Sequence, residues 1–433
     1  MTEIQSTPTP DSPFPYVAHP ALNTSLTDEI RSQSQKVYEE SRVWSKETRR
    51  SEAWKYLPFG ESVASEYQDG QYPQDFRWDH IQDPEIGTLT LYTVNGHLCL
   101  DKLPKTLPKG IHLFAQSDPH FDHFNLVSDQ ADPLHPLHAL NRAKAHDGWV
   151  IYIEPFTRDL PPIWIEHLFS MQTQPIIAHP RLFIYGGQGS VFSVTETFID
   201  HTITDQSCVN ALSEIHLEKE CNLTYTKVQN QNLNTSHLGT HLFHLEENAR
   251  CEGIFFNLGS KLTRLDLDAH LKGSNTNLDL KGLFTGSERQ VLDQHLTLSH
   301  HAPYCHSNQH FKGILNHKAQ GIFTGKVYVA PGACGTLAHQ NNPNLILDHK
   351  ARAMTRPQLE IYNDDVECSH GATVGQLDEN ALFYLKSRGL SHEVAVSMLT
   401  MAFASQIQEN ITSKRINEQC NQAIQRTLRK RGF

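Results

Sequence analysis

The sequence predicts a mainly β protein, a long stack of short strands with helical regions before and after it, and three observations carry that expectation. From Pro180 to about Tyr362, apolar runs of about four to eight residues are separated by Gly, Asn, Asp or Ser, with almost no helical periodicity. Before them, from Leu26 to Ala53, Ile30, Val37, Val43 and Trp44 recur at loosely helical spacing among Ser, Gln, Glu, Lys and Arg, which predicts one or two helices. After them, Asp378 and Ser391 each stand where a helix N-cap is wanted.

Residues 1–24, MTEIQSTPTPDSPFPYVAHPALNT, read as a disordered leader rich in Pro and Thr. They carry no basic stretch followed by an apolar block, so a secretory signal is not expected. Residues 25–160 read as a helical and mixed region. Within it GTLTLYTVNGHLCL, from Gly87 to Leu100, predicts a hairpin turning on Asn95-Gly96; His138 to His146 predicts a short helix and Trp149 to Ile153 a strand. Residues 161–365 are the β core, with strands expected at Arg181–Tyr185, Ser190–Val194, Ser213–Leu217, Leu223–Val228, Gly239–Leu245, Cys251–Asn257, Lys261–Leu271, Asn277–Phe284, Gln290–Leu298, Gly321–Val329 and Gln358–Tyr362. The glycine-rich GGQGS at Gly186–Ser190 precedes a strand and not a helix, so it reads as a corner and not as a phosphate cradle.

These strands recur at intervals of roughly 10–14 residues with Asn and Gly in the corners, which suits either a sandwich or a coiled stack. A single sandwich would be crowded by so many strands. A parallel β-helix, in which each coil buries its inward side chains against the next, accommodates them without limit. Residues 366–433 read as helical. Asp378 caps Glu379–Ser387, Gly389 sits where a left-handed terminator is wanted, and Ser391 caps a second and last helix. Val394, Met398, Met401 or Ala402, Ser405, Ile407 and Ile411 trace its apolar stripe, which reads equally as a face packed on the same protein or as a docking face; RTLRKR, Arg426 to Arg431, reads as a solvated helix end.

At 433 residues the chain is too long for one small core and fits two or three regions, or one elongated domain with appendages. No window reaches the roughly 18 consecutive apolar residues of a membrane span. The net charge of -11 argues against nucleic acid as the main partner. Eight widely spaced cysteines with no Cys-x-x-Cys argue against a disulfide framework, a zinc ribbon or a ferredoxin-like site, and point to a reducing cytoplasmic setting. There is no P-loop and no Gly-x-Ser-x-Gly elbow, so any ATP chemistry must come from a partner.

The richest stretch is RPQLEIYNDDVECSHGATVGQLDENALFYLKSRGL, from Arg356 to Leu390. Cys368 and His370 are two residues apart, so in an extended segment their side chains share one face, within reach of one soft ligand. The plainer reading of both is a polar turn, with a small buried thiol and an imidazole bonded to backbone. HHAPYCHSNQH, from His300 to His310, gathers four histidines and Cys305, but its spacing fits no zinc signature. Exposed strand faces account for it more simply, and no metal site is assigned.

The Arg356–Leu390 run resembles, nearly residue for residue, the C-terminal core motif of the SufB/SufD family, scaffold proteins that build iron–sulfur clusters. The resemblance extends to RRSEAWKYLPF (Arg49–Phe59), HPLHALNRAKAHDGWVIYI (His135–Ile153), HPRLFIYGGQGS (His179–Ser190) and KGILNHKAQGIFTGKVYVAPGA (Lys312–Ala333), and the first of these is similar to the SufD branch. It implies a right-handed parallel β-helix core and a non-enzymatic scaffold that pairs with a SufB-like subunit and recruits a SufC-like ATPase. It implies that His370, with Cys368 beside it, faces SufB where a transient cluster forms. It implies SufC docking at Leu382, Phe383, Leu385, Arg388 and Gly389 and no stably bound cofactor; a symmetry-related surface would separately allow a homodimer where SufB is absent. The rival readings are a β-helix carbohydrate-active enzyme using Asp266 and Asp268 or Asp364 and Asp365, and a purely structural partner subunit.

Overall fold

A computed structural model describes Trp54 and residues 67–79, 81, 85, 87–116, 136–170, 174–202, 207–409 and 411–429. The N-terminal leader and helices expected before residue 54 lie outside the described residues. The chain is mainly β, and its core is a solenoid of about eight turns in which every turn contributes one strand to each of two facing sheets.

One sheet holds β5 (Trp149–Ile153), β8 (Arg181–Gly186), β10 (Ser207–Leu217), β12 (Thr235–Leu245), β14 (Leu262–Leu271), β16 (Val291–His300), β18 (Gln320–Val329) and β20 (Arg352–Ile361). The other holds β6 (Ile163–Ser170), β9 (Val191–Thr202), β11 (Asn222–Gln229), β13 (Arg250–Asn257), β15 (Asn277–Gly286), β17 (His306–Leu315), β19 (Thr336–Ile346) and β21 (Val366–Gly375). All these neighbours pair in parallel, and one coil takes 26 to 32 residues, as the aligned column Leu217–Leu245–Leu271–His300–Val329–Ile361 shows. The first coil is bordered by β4 (Ile111–Ala115), antiparallel to β5, and by the expected hairpin of β2 (Leu89–Val94) and β3 (His97–Leu98). Asn95 and Gly96 both take positive φ at its turn, as the Asn-Gly pair requires. Short β1 (Gln68–Asp69) and β7 (Ile176–Ala178) pair alongside β10.

The alternation of side chains along each strand decides the core. Ile165, Phe192, Leu217, Phe243, Leu280 and Phe311 point into the lumen and are buried in one continuous cluster. Corners repeat as well. Glu220, Asn248, Asn275, Tyr304 and Gly335 all take positive φ, and each donates its N–H to the following coil, to the carbonyls of Glu247, Ser274, Pro303, Cys334 and Asp365. At position 335 glycine is needed twice over, since its φ is 64° and a Cβ there would press on the Tyr304 ring.

Besides β1, β4, β6 and β7, three late strands of the solenoid lie outside the expected set: β17, β19 and β21. Their lumen-facing positions include Gln309, Gln340, Asn342 and His370, so no apolar alternation marks them. β21 carries the solenoid past residue 365, where the sequence reading began the helical region. His300 is also not on an exposed face; it is fully buried in the lumen, 2.8 Å from Ser307 Oγ.

Helices cover both sheets from outside. α1 (Pro136–Lys144) sets Leu137 and Leu140 on Cys208, Leu238 and Leu262 of the first sheet. At the other end three helices follow the stack where two were expected: α2 (Glu379–Ser387), α3 (His392–Gln408) and α4 (Lys414–Leu428). α3 and α4 bury Ala404, Ile407, Ile416, Cys420 and Ile424 against Val228, Ile254, Phe256, Leu283 and Ile314 of the second sheet. The α3 stripe is rotated from the expected one, because Val394 and Met398 face outward and Ala395, Thr400, Ala404 and Ile407 face in. No helix among the described residues is long and apolar enough to cross a membrane.

Arg415 of α4 pairs with Glu166 of β6 at 2.6 Å, where burial pushes the Glu166 carboxyl up and Arg415 opposes it. Breaking a buried pair from one side leaves an uncompensated group, so Arg415→Met is expected to lower unfolding stability in urea by about 3 kcal/mol. A loss within measurement error would show that the pair does not anchor α4.

Polar side chains interrupt the apolar lining of the lumen in its first coils. Thr93 Oγ1 lies 2.8 Å from His167 Nδ1, and His167 Nε2 lies 2.9 Å from Glu196, which also accepts from Ser213 and Tyr225. Burial would raise the Glu196 carboxyl, yet the hydrogen bond and charge of His167 bring it down to about 2. Burial brings the Lys227 ammonium from 10.5 to about 7, with Glu196 opposing. Between these values the unfolded chain holds a proton that the folded chain has released. Stability is therefore expected to rise from pH 7 to about 10 by up to ~1.4 kcal/mol per unit, with no contribution from this group to the pH dependence below 7. Lys227→Met should flatten that rise in pH-dependent urea titrations; an unchanged slope would assign it elsewhere.

Candidate functional site

The last coil is the open end of the solenoid. β20 pairs only with β18 and β21 only with β19 among the described residues, so each presents one free edge. Leu337 N–H donates to Cys305 of the coil before, which sets the odd-numbered residues of β19 toward β17. Its even-numbered residues therefore bond β21 through the odd-numbered residues there. The backbone groups of Val366, Cys368, His370, Ala372 and Val374 are left turned outward along the free edge.

Their side chains line the mouth of the lumen. Cys368 stacks on Ala338 and packs against Val327, Val329 and Ala338, and burial pushes its thiol up. His370 stacks above the buried Gln340 and is exposed, because no further coil covers it. The extended backbone thus brings Cys368 and His370 onto one face, as their spacing predicts, and they lie in a strand and not in a polar turn. Asn363 Oδ1 accepts from Asp365 N–H at 3.0 Å and shapes the corner just before them.

Beside this end stands α2. Asp378 accepts from Asn380 N–H at 2.8 Å, Gly389 ends the helix at φ 91°, and Ser391 accepts from Val394 N–H at the start of α3. None of its residues is buried. Phe383 is 74% and Tyr384 56% exposed, with Leu382 and Leu385 half-buried beneath them, Arg388 5.2 Å from the Tyr384 ring, and Val394 and Met398 continuing the apolar surface on α3.

Residues 169–403 match the family described as SUF system FeS cluster assembly, SufBD core domain, a span that includes both sides of the open coil and the whole of α2. The chain belongs to the SufB/SufD family. It is 32% identical to an iron–sulfur cluster assembly SufBD family protein of Synechocystis, over 69% of this chain and 68% of that protein. It is 30% identical to the iron–sulfur cluster assembly protein SufD of Escherichia coli, over 66% of this chain and 67% of that one, and 27% identical to the chloroplastic protein ABCI7 of Arabidopsis thaliana, over 75% and 70%.

Asp266, on the same face of β14 as Asp268, is tied by both oxygens to the buried Arg264, which also holds Asp293 at 2.7 Å. Asp364 and Asp365 are an exposed corner. Among the described residues no three His, Cys, Asp or Glu side chains converge as metal ligands, and the 300–310 histidines divide between the lumen, a corner and strand β17. What the sequence did not disclose is the pairing of polar lumen residues, His167 with Glu196 and Gln309 with Gln340, because the members of each pair lie a coil apart, some 30 residues in sequence, and meet only on stacking.

Proposed function

We propose that the chain is a non-enzymatic scaffold subunit of a SUF-type complex, pairing through its open coil with a SufB-like scaffold and recruiting a SufC-like ATPase through α2 and the start of α3. One observation carries the reading: the coil with two free strand edges is also the coil that exposes His370, with the half-buried Cys368 beside it, at the lumen mouth. A second β-solenoid can extend both sheets across such an edge, and a second copy of this chain can take that place where the scaffold partner is absent. Imidazole and thiolate both suit iron, so a cluster forming transiently between the two solenoids would find ligands here without a resident cofactor. The eight cysteines are all free, in keeping with a reducing cytoplasm.

His370→Ala, introduced into the reconstituted complex, is expected to leave assembly on size exclusion unchanged and to slow cluster formation, followed by visible absorbance, at least tenfold. His370→Cys should restore part of it. Full cluster formation in His370→Ala would favour a purely structural subunit.

A further inference from the structure

The two free edges of the open coil are not equivalent, because one of them carries a proline. On β20, Arg352 N–H donates to the Ala319 carbonyl and Tyr362 N–H to that of Val329, so the even-numbered residues of this strand bond β18. Ala353, Thr355, Pro357, Leu359 and Ile361 therefore turn their backbone groups outward, and Pro357, opposite Gly325, has no N–H to offer there. The proline costs β20 no bond to β18, which is why an edge strand tolerates it. An incoming strand meets its ring where a donor would stand. β21 carries no proline, and its outward groups from Val366 to Val374 form an unbroken row.

The coil beneath shows what a proline does when it faces a strand. Pro343 of β19 is odd-numbered and so faces β17, and the pairing lapses between Asn341, opposite His310, and Asn344, opposite Gly313. Leu337 is opposite His306 and donates to Cys305, the residue before; in the same register an N–H at position 343 would reach the Phe311 carbonyl. Asn342 Nδ2 serves that carbonyl instead, at 2.7 Å. A proline turned toward a neighbour thus strands one of the neighbour's carbonyls, and here a side-chain amide stands in for the missing donor. Opposite Pro357 the stranded carbonyl would belong to the partner.

We propose that Pro357 interrupts strand addition in the middle of the β20 edge, so that a SufB-like solenoid is bonded continuously along β21, the row that holds Cys368 and His370, and meets the β20 side mainly through side chains. The asymmetry rests on the pairing proposed above and names the edge that carries it. Proline on an exposed edge also guards it against indiscriminate pairing.

Amide hydrogen exchange of the full chain, free and in complex with the SufB-like scaffold of its own host, reads the two edges separately. The outward amides of Cys368, His370, Ala372 and Val374 should slow at least tenfold on complex formation, while those of Thr355 and Leu359 should not. In Pro357→Ala, which supplies the missing donor, Thr355 and Leu359 should slow as well, and the scaffold should bind at least tenfold more tightly. Pro357→Val takes its place should Pro357→Ala lower the thermal midpoint of the free chain. Equal slowing of both edges in the wild-type complex, or unchanged exchange and affinity in a folded Pro357 variant, would overturn the proposal and leave the pairing itself standing. No slowing on either edge would overturn the pairing and this proposal with it.

Discussion

A chain in which Phe383 and Tyr384 are both replaced by Asp is expected to lose the proposed SufC-like ATPase in pull-down while keeping its own fold and the proposed scaffold partner. The reason lies in what α2 does not do. It buries none of its residues in its own chain, although both ends are capped and its outer face is aromatic. A short helix of this kind is stabilised mainly by packing, and an apolar face turned to solvent marks a contact surface. Aromatic anchors at an interface centre are worth about 2 kcal/mol or more each, so losing both corresponds to roughly a thousandfold in affinity. Because Phe383 and Tyr384 stand well exposed, the thermal midpoint of the isolated chain should stay within about 2 °C. Retention of the ATPase by the double variant would remove α2 from the docking surface.

Ala372→Pro is expected to break pairing with the second solenoid and to leave this chain folded. Residue 372 turns its N–H to the free edge of β21, away from β19, so proline there removes an outward donor and places its ring where a new strand would lie. Loss of one edge hydrogen bond and the added clash should weaken pairing at least tenfold. Thr373→Pro is the contrasting variant, since residue 373 bonds β19 and its replacement should loosen the terminal strand itself. Equal scaffold binding by wild type and Ala372→Pro would mean that the partners do not meet along this edge.

The sequence made the stack legible wherever lumen positions are apolar, as in Leu223–Val228 or Lys261–Leu271, because a period of two is then visible in one strand. It failed where the lumen is polar: Gln309, Gln340 and Asn342 hide β17 and β19, and their burial is supported a full coil away, Gln340 donating to the Gln309 side chain and Asn342 to the Phe311 carbonyl. Corner chemistry was half legible. Asn248 and Asn275 follow the preference of Asn for positive φ, but Glu220 and Tyr304 take the same conformation because the bond to the next coil imposes it. The helix at Lys414–Leu428 had a readable start in Ser413, which accepts from Ile416 N–H. For the candidate site, the spacing of Cys368 and His370 gave their common face. That this face belongs to the coil left uncovered among the described residues follows only from counting strands that the pattern concealed.

The central claim is that this chain works as a paired scaffold with two distinct contact surfaces. Its most direct test is purification of the tagged chain from its own host, followed by cross-linking and mass spectrometry. The account predicts recovery of a SufB-like scaffold cross-linked to the terminal coil around Glu367 and of a SufC-like ATPase cross-linked to α2 at Lys386. Recovery of the chain alone, or of partners cross-linked only to other surfaces, would contradict it.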